Sequence, residues 1–359
     1  SSAPALPVIP VVWYICCASS FALLHAGQVL ERVVPVTVTD EAVGTATTTL
    51  TIKVTGTNDA AVVDSAAKTL QETDAALTTG GTLTSTDVDG TDNRFNASTT
   101  NGTIGTFSIN ANGVWTFVAS KAFDELNVGD KVEETYNVTT EDGTPTTVTV
   151  VIEGTNDGPV IDGTAGVSGT VKEDVAASAT ATGTLVATDP DNDTDPNQDM
   201  AWTDVTTGSP TYGSFSIDSG TGQWTYQINN SLTAVQSLAE GQTVTETFTV
   251  QVSDGSATDT QEVTVTVTGT NDAPVVTGGK FSDTVTEDTQ TTATGAISFT
   301  DVDTIDVHTW TVSGCGTGTY VNLTIDNNGN WQSVFDAVKS NSMHQNPQET
   351  ETFTVTRSE

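Results

Sequence analysis

Val263-Thr-Val-Thr-Val-Thr-Gly-Thr-Asn-Asp-Ala-Pro-Val-Val276 decides how the chain is read. Its first half alternates Val and Thr, a period of two that places Val on one face of a strand and Thr on the other. Its second half is a turn that no strand continues, because Gly, Asn, Asp and Pro each break regular pairing. The tetrapeptide Gly-Thr-Asn-Asp recurs at Gly56–Asp59, Gly154–Asp157 and Gly269–Asp272, each time at the end of a Val/Thr run. A turn that returns at a spacing of about a hundred residues marks the junctions of tandem domains.

Aligning the text on these junctions gives the plan of each repeat. An early acidic turn appears as Glu72, Glu173-Asp174 and Glu287-Asp288. A short strand then ends in Asp87-Val-Asp89, Asp189-Pro-Asp191 or Asp301-Val-Asp303. An aromatic hairpin follows, with Trp115, Trp224 and Trp331 in corresponding places and Asn-Gly turns at Asn112-Gly113 and Asn328-Gly329. Glu134-Thr-Tyr136, Glu246-Thr-Phe248 and Glu351-Thr-Phe353 open the next strand, which runs to Asp142-Gly143 or Asp254-Gly255 before the closing Val/Thr strand. Strands this short and frequent predict an all-β protein, a line of immunoglobulin-like sandwiches with almost no helix. The three tryptophans read as core anchors rather than sugar platforms.

The predicted boundaries are 59–157 and 158–272 for two whole repeats, 273–359 for a third that stops before its final strand, and 35–58 for the closing hairpin of an earlier one. Residues 1–34 do not match this pattern and are expected to lie outside the native fold. Val8 to Leu30 is nearly free of charge and long enough to span a membrane, and membrane contact is expected only if it does. No basic residue precedes it, and Pro4, Pro7 and Pro10 crowd its start.

Ten basic residues against 46 acidic ones leave a formal charge of −36. That balance excludes nucleic acid as a partner, since phosphate is neutralised by Lys and Arg. Cys16, Cys17 and Cys315 make no disulfide framework. His25, His308 and His344 share no spacing with an acid or nucleophile, and no phosphate loop or nucleophile elbow occurs, so no enzyme is expected.

Strand parity says where the acids gather. The first strand leaves the junction, the second returns and the last hairpin turns back toward it. Asp157, Asp189, Asp191 and Asp254 are therefore expected at one junction, joined by Glu72 from the preceding repeat. Oxygen-only, carboxylate-rich and lacking His and Cys, such a set suits calcium. A solubilising acidic surface is the alternative reading. The loop Asp189–Asp195 is longer than its counterparts and would hold a second ion, although it lacks the glycine and the terminal glutamate of an EF-hand loop.

The Gly-Thr-Asn-Asp-Ala-Pro-Val block, the Glu-Asp turn and the Asp-x-Asp element resemble the VCBS repeats of large bacterial adhesins and bacterial cadherin-like domains. The resemblance covers residues 35–359. It implies calcium-binding, secreted or cell-surface repeats with roles in adhesion and biofilms. By position, the linker ligands it implies are Asn58, Asp59, Asn156, Asp157, Asn271 and Asp272. The implied loop ligands are Asp87, Asp89, Asp189, Asp191, Asp301 and Asp303. Glu72, Glu173, Asp174, Asp142 and Asp254, at the acidic turns, complete the expected metal ligands. Like repeats and surface glycans are the further partners considered. Thr73, Ala61 and Gly158 depart from the pattern.

Overall fold

A computed structural model describes residues 24–39, 42–90, 93–191, 200–340 and 348–358. Two compact units divide at Asp157 and Gly158. Strand dominates both, and helix is confined to one-turn pieces such as Thr233–Gln236.

Unit 1 begins with an antiparallel hairpin, Val29–Thr39 against Thr45–Thr55, in register from Val29↔Thr55 to Thr39↔Thr45. The boundary drawn at residue 35 therefore falls inside a strand. Residues from Leu24 onward share the local pattern of the later repeats: Leu24-His-Ala-Gly-Gln28 matches Leu126-Asn-Val-Gly-Asp130 and Leu238-Ala-Glu-Gly-Gln242. In each, the residue after the glycine accepts the N–H of a junction glycine, Gln28 from Gly56, Asp130 from Gly154 and Gln242 from Gly269. The apolar run 8–30 lies mostly outside the described residues, among which no helix is long and apolar enough to cross a membrane.

The sandwich that follows packs two sheets. One has the order Lys131–Thr139, Pro145–Glu153, Ala66–Gln71, and its last pair is parallel. The other runs Thr78–Thr82, Val114–Ala119, Gly105–Ile109, Ser98–Asn101, all antiparallel. Val148, Val150 and Ile152 point into the core with no exposed surface, as the Val/Thr alternation requires. Phe107 of one sheet stacks on Tyr136 of the other, with ring centroids 4.8 Å apart.

Unit 2 repeats this plan in residues 158–272. Ser168–Lys172 pairs in parallel with Thr258–Thr268, which continues to Thr243–Ser253 and Ala201–Asp204. The opposing sheet is Thr180–Thr184, Gln223–Ile228, Gly213–Ile217. The third repeat carries Val275–Gly279, Thr292–Thr300, Asn330–Phe335 and Val321–Ile325 in one sheet and pairs Thr309–Val312 with Val355–Ser358 in the other.

The tryptophans are core residues in all three repeats, with Trp115, Trp224 and Trp331 at 2 %, 0 % and 9 % exposure. Each faces a glycine across the ladder: Gly81, Gly183 and Gly295. A Cβ at those glycines would sit 3.0, 2.6 and 2.6 Å from the indole, so the glycine is what lets the ring lie flat on the strand.

Candidate metal sites

The junction tetrapeptide can be decoded residue by residue. Its glycine is demanded by close approach: a Cβ at Gly56, Gly154 or Gly269 would lie 2.4, 2.1 or 2.1 Å from the carbonyl oxygen of Leu24, Leu126 or Leu238. Its threonine holds the early glutamate. Thr155 donates from N and Oγ1 to Glu72 Oε1 at 2.7 and 2.6 Å, and Thr270 N donates to Glu173 Oε2 at 3.2 Å. Its asparagine closes on the next carbonyl, with Asn58 Nδ2 donating to Asp59 O and Asn156 Nδ2 to Asp157 O at 2.8 and 2.7 Å. Its aspartate leads into the following repeat through its backbone: Asp59 N donates to Asp89 Oδ2 at 3.2 Å, and Asp272 N to Asp303 Oδ2 at 2.7 Å.

At the first junction Asn58, Asp87, Asp89 and Asp142 line one cleft, together with His25, Asn93 and Arg94. Asp89 is 4 % exposed, and its N–H donates to Asp87 Oδ1 at 3.1 Å, so the Asp-x-Asp loop is closed by its own carboxylate. Asp142 is different. Its oxygens take the Ala61 N–H at 3.0 Å, Thr144 N and Oγ1 at 3.2 and 2.7 Å, and the Thr140 hydroxyl. Burial favours the neutral acid there, but these donors win and hold the carboxyl well below its usual range. Asp142 thus fastens the hairpin turn to the junction as well as facing the cleft.

The second tetrapeptide, Gly154–Asp157, closes unit 1, and each unit carries an acidic set of its own. In unit 1, carboxylate oxygens of Glu72, Asp124 and Asp157 lie within 4.8 Å of one another. Glu72 is only 2 % exposed, and neither its Oε2 nor Asp124 Oδ1 has a hydrogen-bond partner among the described residues. In unit 2, Asp191 N donates to Asp189 Oδ1 at 3.1 Å, and Asp254 receives the N–H groups of Ser256 and Ala257, both at 2.6 Å. Burial, reinforced by the charge of Asp254, pushes the Asp189 carboxyl up despite the Asp191 N–H. The rest of the Asp189–Asp195 loop, from residue 192, lies outside the described residues.

The third junction lies wholly within unit 2. Oxygens of Glu173, Asp174 and Asp272 fall within 4.8 Å of one another. Glu173 has no exposed surface. Burial, opposed by the Thr270 N–H and reinforced by the charges of Asp272, Asp174 and Asp303, pushes its carboxyl up to about 7. Asp303, 2 % exposed, is also raised, by burial and then by Asp306, Asp301 and Glu240. Asn271 donates its N–H to Glu240 Oε2 at 3.2 Å. His308 has an acid after all, since its Nε2 lies 3.4 Å from Asp301 Oδ2.

Asp124 was missed by sequence reading, and its importance follows from a departure already noted. Asp174 has φ +51°, a left-handed position that Asp tolerates and a β-branched residue avoids. Repeat 1 has Thr73 there, whose hydroxyl instead donates to Ala75 O at 3.1 Å. The acid lost at that point is restored by Asp124, two residues before Leu126. In repeat 2 the residue two before Leu238 is Gln236, whose Nε2 donates to Glu173 Oε1 and Asp174 Oδ1 at 2.9 and 3.3 Å. The far poles of repeats 1 and 2 therefore each carry three acids, in repeat 1 from three separate stretches of chain and in repeat 2 from the Glu173-Asp174 turn and the junction. The parallel between Asp124-x-Leu126 and Gln236-x-Leu238 was the available signal.

All of these donors are oxygens at the clusters themselves, and the orphaned Glu72 Oε2 and Asp124 Oδ1 leave lone pairs in a buried place that a hard cation would satisfy. The residues fit calcium.

Comparison with solved structures finds cadherin ectodomains. Four-domain protocadherin γB7 is 16 % identical over 82 % of this chain and 72 % of its own, with a TM-score of 0.46. Mouse cadherin-23 domains 22–24 are 15 % identical over 79 % of this chain and 90 % of theirs, with a TM-score of 0.46. The protocadherin γB4 ectodomain is 19 % identical over 85 % of this chain and 49 % of its own, with a TM-score of 0.49. No curated protein matches the chain. The bacterial cadherin-like domain matches twice in tandem, over residues 58–154 and 156–269. With most of its length in those two matches, and with acid-lined junctions at the ends of both, the chain belongs to the bacterial cadherin-like domain family.

Proposed function

We propose that these repeats are a calcium-stiffened spacer of a large bacterial adhesin, secreted or held at the cell surface, and serve cell adhesion and biofilm formation. The observation that carries this reading is the buried carboxylate set at the end of repeat 1. Glu72, Asp124 and Asp157 hold oxygens within 4.8 Å of one another, and one oxygen of the almost fully buried Glu72 has no partner among the described residues. Two carboxylates about 4 Å apart repel by roughly 4 kcal/mol at an effective dielectric near 20. Calcium, when bound, supplies the positive charge that turns this repulsion into attraction. In unit 1, Glu72, Asp124, Asn156 and Asp157 would hold it, and in unit 2 Asp189, Asp191 and Asp254 are the candidate ligands of the repeat that follows. The first junction would use Asn58, Asp59, Asp87, Asp89 and Asp142, and the third Glu173, Asp174, Asn271, Asp272, Asp301 and Asp303. The affinity of extracellular calcium modules, about 10⁻⁴ to 10⁻³ M, would leave such junctions loose inside a cell and locked outside it. Binding of like repeats fits the same reading. Glycan binding draws no support from the hairpin tryptophans, which are core residues.

The test is calorimetry and small-angle scattering on the whole chain in chelator and in millimolar calcium. Binding heat and a longer maximum dimension with calcium are expected. An unchanged dimension with no heat would leave the acids as a solubilising surface only.

A further inference from the structure

The carboxylate sets that close repeats 1 and 2 hold the same number of acids but satisfy their oxygens differently. In unit 1 the set is Glu72, Asp124 and Asp157, and in unit 2 it is Glu173, Asp174 and Asp272. One oxygen of each buried glutamate is held by the junction threonine, Glu72 Oε1 by Thr155 N and Oγ1 and Glu173 Oε2 by Thr270 N. The other oxygen is where the sets part. Glu72 Oε2 has no hydrogen-bond partner among the described residues, and neither has Asp124 Oδ1. Glu173 Oε1 accepts Gln236 Nε2 at 2.9 Å, and the same nitrogen donates to Asp174 Oδ1 at 3.3 Å.

Gln236 stands in the place of Asp124, two residues before the leucine whose carbonyl the junction glycine approaches. It ends the one-turn helix Thr233–Gln236, which the fully buried Val235 fixes to the core. In repeat 1 the same stretch is not helical, and Phe123, buried at φ +75°, sets the shorter Asp124 side chain against Glu72 instead. The neighbours of the amide dictate which end faces them. Turned over, Gln236 Oε1 would meet two carboxylate oxygens with no proton between them, so the nitrogen is the end that two acceptors take. An NH₂ group has one proton for each carboxylate, and two bonds to charged acceptors offset part of the repulsion that brings a cation to such a place.

We propose that Gln236 sets the calcium response at the end of repeat 2: its amide bridges Glu173 and Asp174 in place of an ion and competes with calcium for them. The statement about calcium rests on the function proposed above; the bridging of the two carboxylates does not. An ion entering between Glu173 and Asp174 must first break two hydrogen bonds to charged oxygens, whereas Glu72 Oε2 and Asp124 Oδ1 have none to break. The end of repeat 2 is then held together by its own side chain and gains less from calcium, and the end of repeat 1 relies on the ion.

The experiment follows hydrogen exchange of the whole chain along a calcium titration, at a fixed pH above the titration of Glu173. It is read at Thr155 and Thr270, whose N–H groups bond to Glu72 and Glu173. Gln236→Met keeps the length of the side chain and removes both its donor and its oxygen. In chelator it should lower protection at Thr270 on the order of tenfold, for hydrogen bonds lost to charged partners, and leave Thr155 unchanged. With calcium, the midpoint at Thr270 should move to lower concentration, because the competitor is gone. Asp124→Asn puts an amide into the other set and should raise protection at Thr155 in chelator while moving its midpoint to higher calcium. Unchanged protection at Thr270 in Gln236→Met, or a fall at Thr155 in Asp124→Asn, overturns the bridge. A midpoint at Thr270 that stays or rises in Gln236→Met overturns the competition, since the amide would then be a ligand or a bystander. If calcium alters neither residue in the natural chain, the function reading falls and takes the competition with it, and the chelator measurements alone decide the bridge.

Discussion

Glu173 offers the sharpest quantitative test of the junctions. Its carboxyl has no exposed surface and titrates near about 7 in the folded chain without metal, against 4.5 ordinarily. The folded state therefore binds this proton more tightly than an opened one does. Stability from this group is fully present below pH 4.5, and it is lost as pH rises to about 7, because the charge must then form inside the junction. The interval corresponds to about 3 kcal/mol, or a loss of protection on the order of a hundredfold. The perturbation is a pH series from about 4.5 to 8 in chelator, within and just beyond that interval. The assay is hydrogen exchange at Thr270, whose N–H donates to Glu173 Oε2, and at Glu173, whose N–H donates to Thr268 O, each rate divided by its intrinsic value. Protection should fall across that interval in the natural protein and stay level in Glu173→Gln. Calcium should abolish the fall by pairing with the ionised form, and its affinity at this junction should in turn drop by up to about tenfold per unit below pH 7. A flat profile in chelator, or the same slope in Glu173→Gln, would refute the argument.

Two further outcomes concern the fold. Gly154→Ala places a Cβ 2.1 Å from Leu126 O and should cost about 1–3 kcal/mol, seen as earlier thermal unfolding of unit 1; an unchanged melt would mean that the loop yields freely. Glu134→Gln weakens a clamp that takes the N–H groups of Thr103 and Ile104 at 3.0 and 3.1 Å and the Tyr136 hydroxyl at 2.8 Å. Burial would raise the Glu134 carboxyl, yet these donors lower it, so the ionised form is the one bound, and the loss should be about 1.5–3 kcal/mol in urea unfolding near neutral pH.

The architecture was legible because its signals are local. Val/Thr alternation has the strand period, Asn-Gly marks a turn, and Gly-Thr-Asn-Asp recurs at a fixed place, so strands, turns and repeat length could be read without knowing any contact. Parity then carried Glu173 to the end where Asp272 sits and Asp189 to the end where Asp254 sits, since each strand reverses direction. What stayed hidden depends on contacts between elements distant in sequence. Asp124 looks like one acid among many until the loop before Leu126 is brought against Glu72 by the backbone of Gly154. Asp142 reads as a turn residue, and only the arrival of Ala61 shows it fastening the junction. His308 has Asp306 two residues before it in sequence, yet packing sets its Nε2 3.4 Å from Asp301, and Arg357 reads as an ordinary strand residue until register sets it, half-buried, beside Trp310. Strand period and turn chemistry are properties of neighbouring residues, so the sequence alone determined the repeats. Burial and the sum of surrounding charges are properties of the packed chain, so only the tertiary structure decided which carboxylates are strained and which are satisfied.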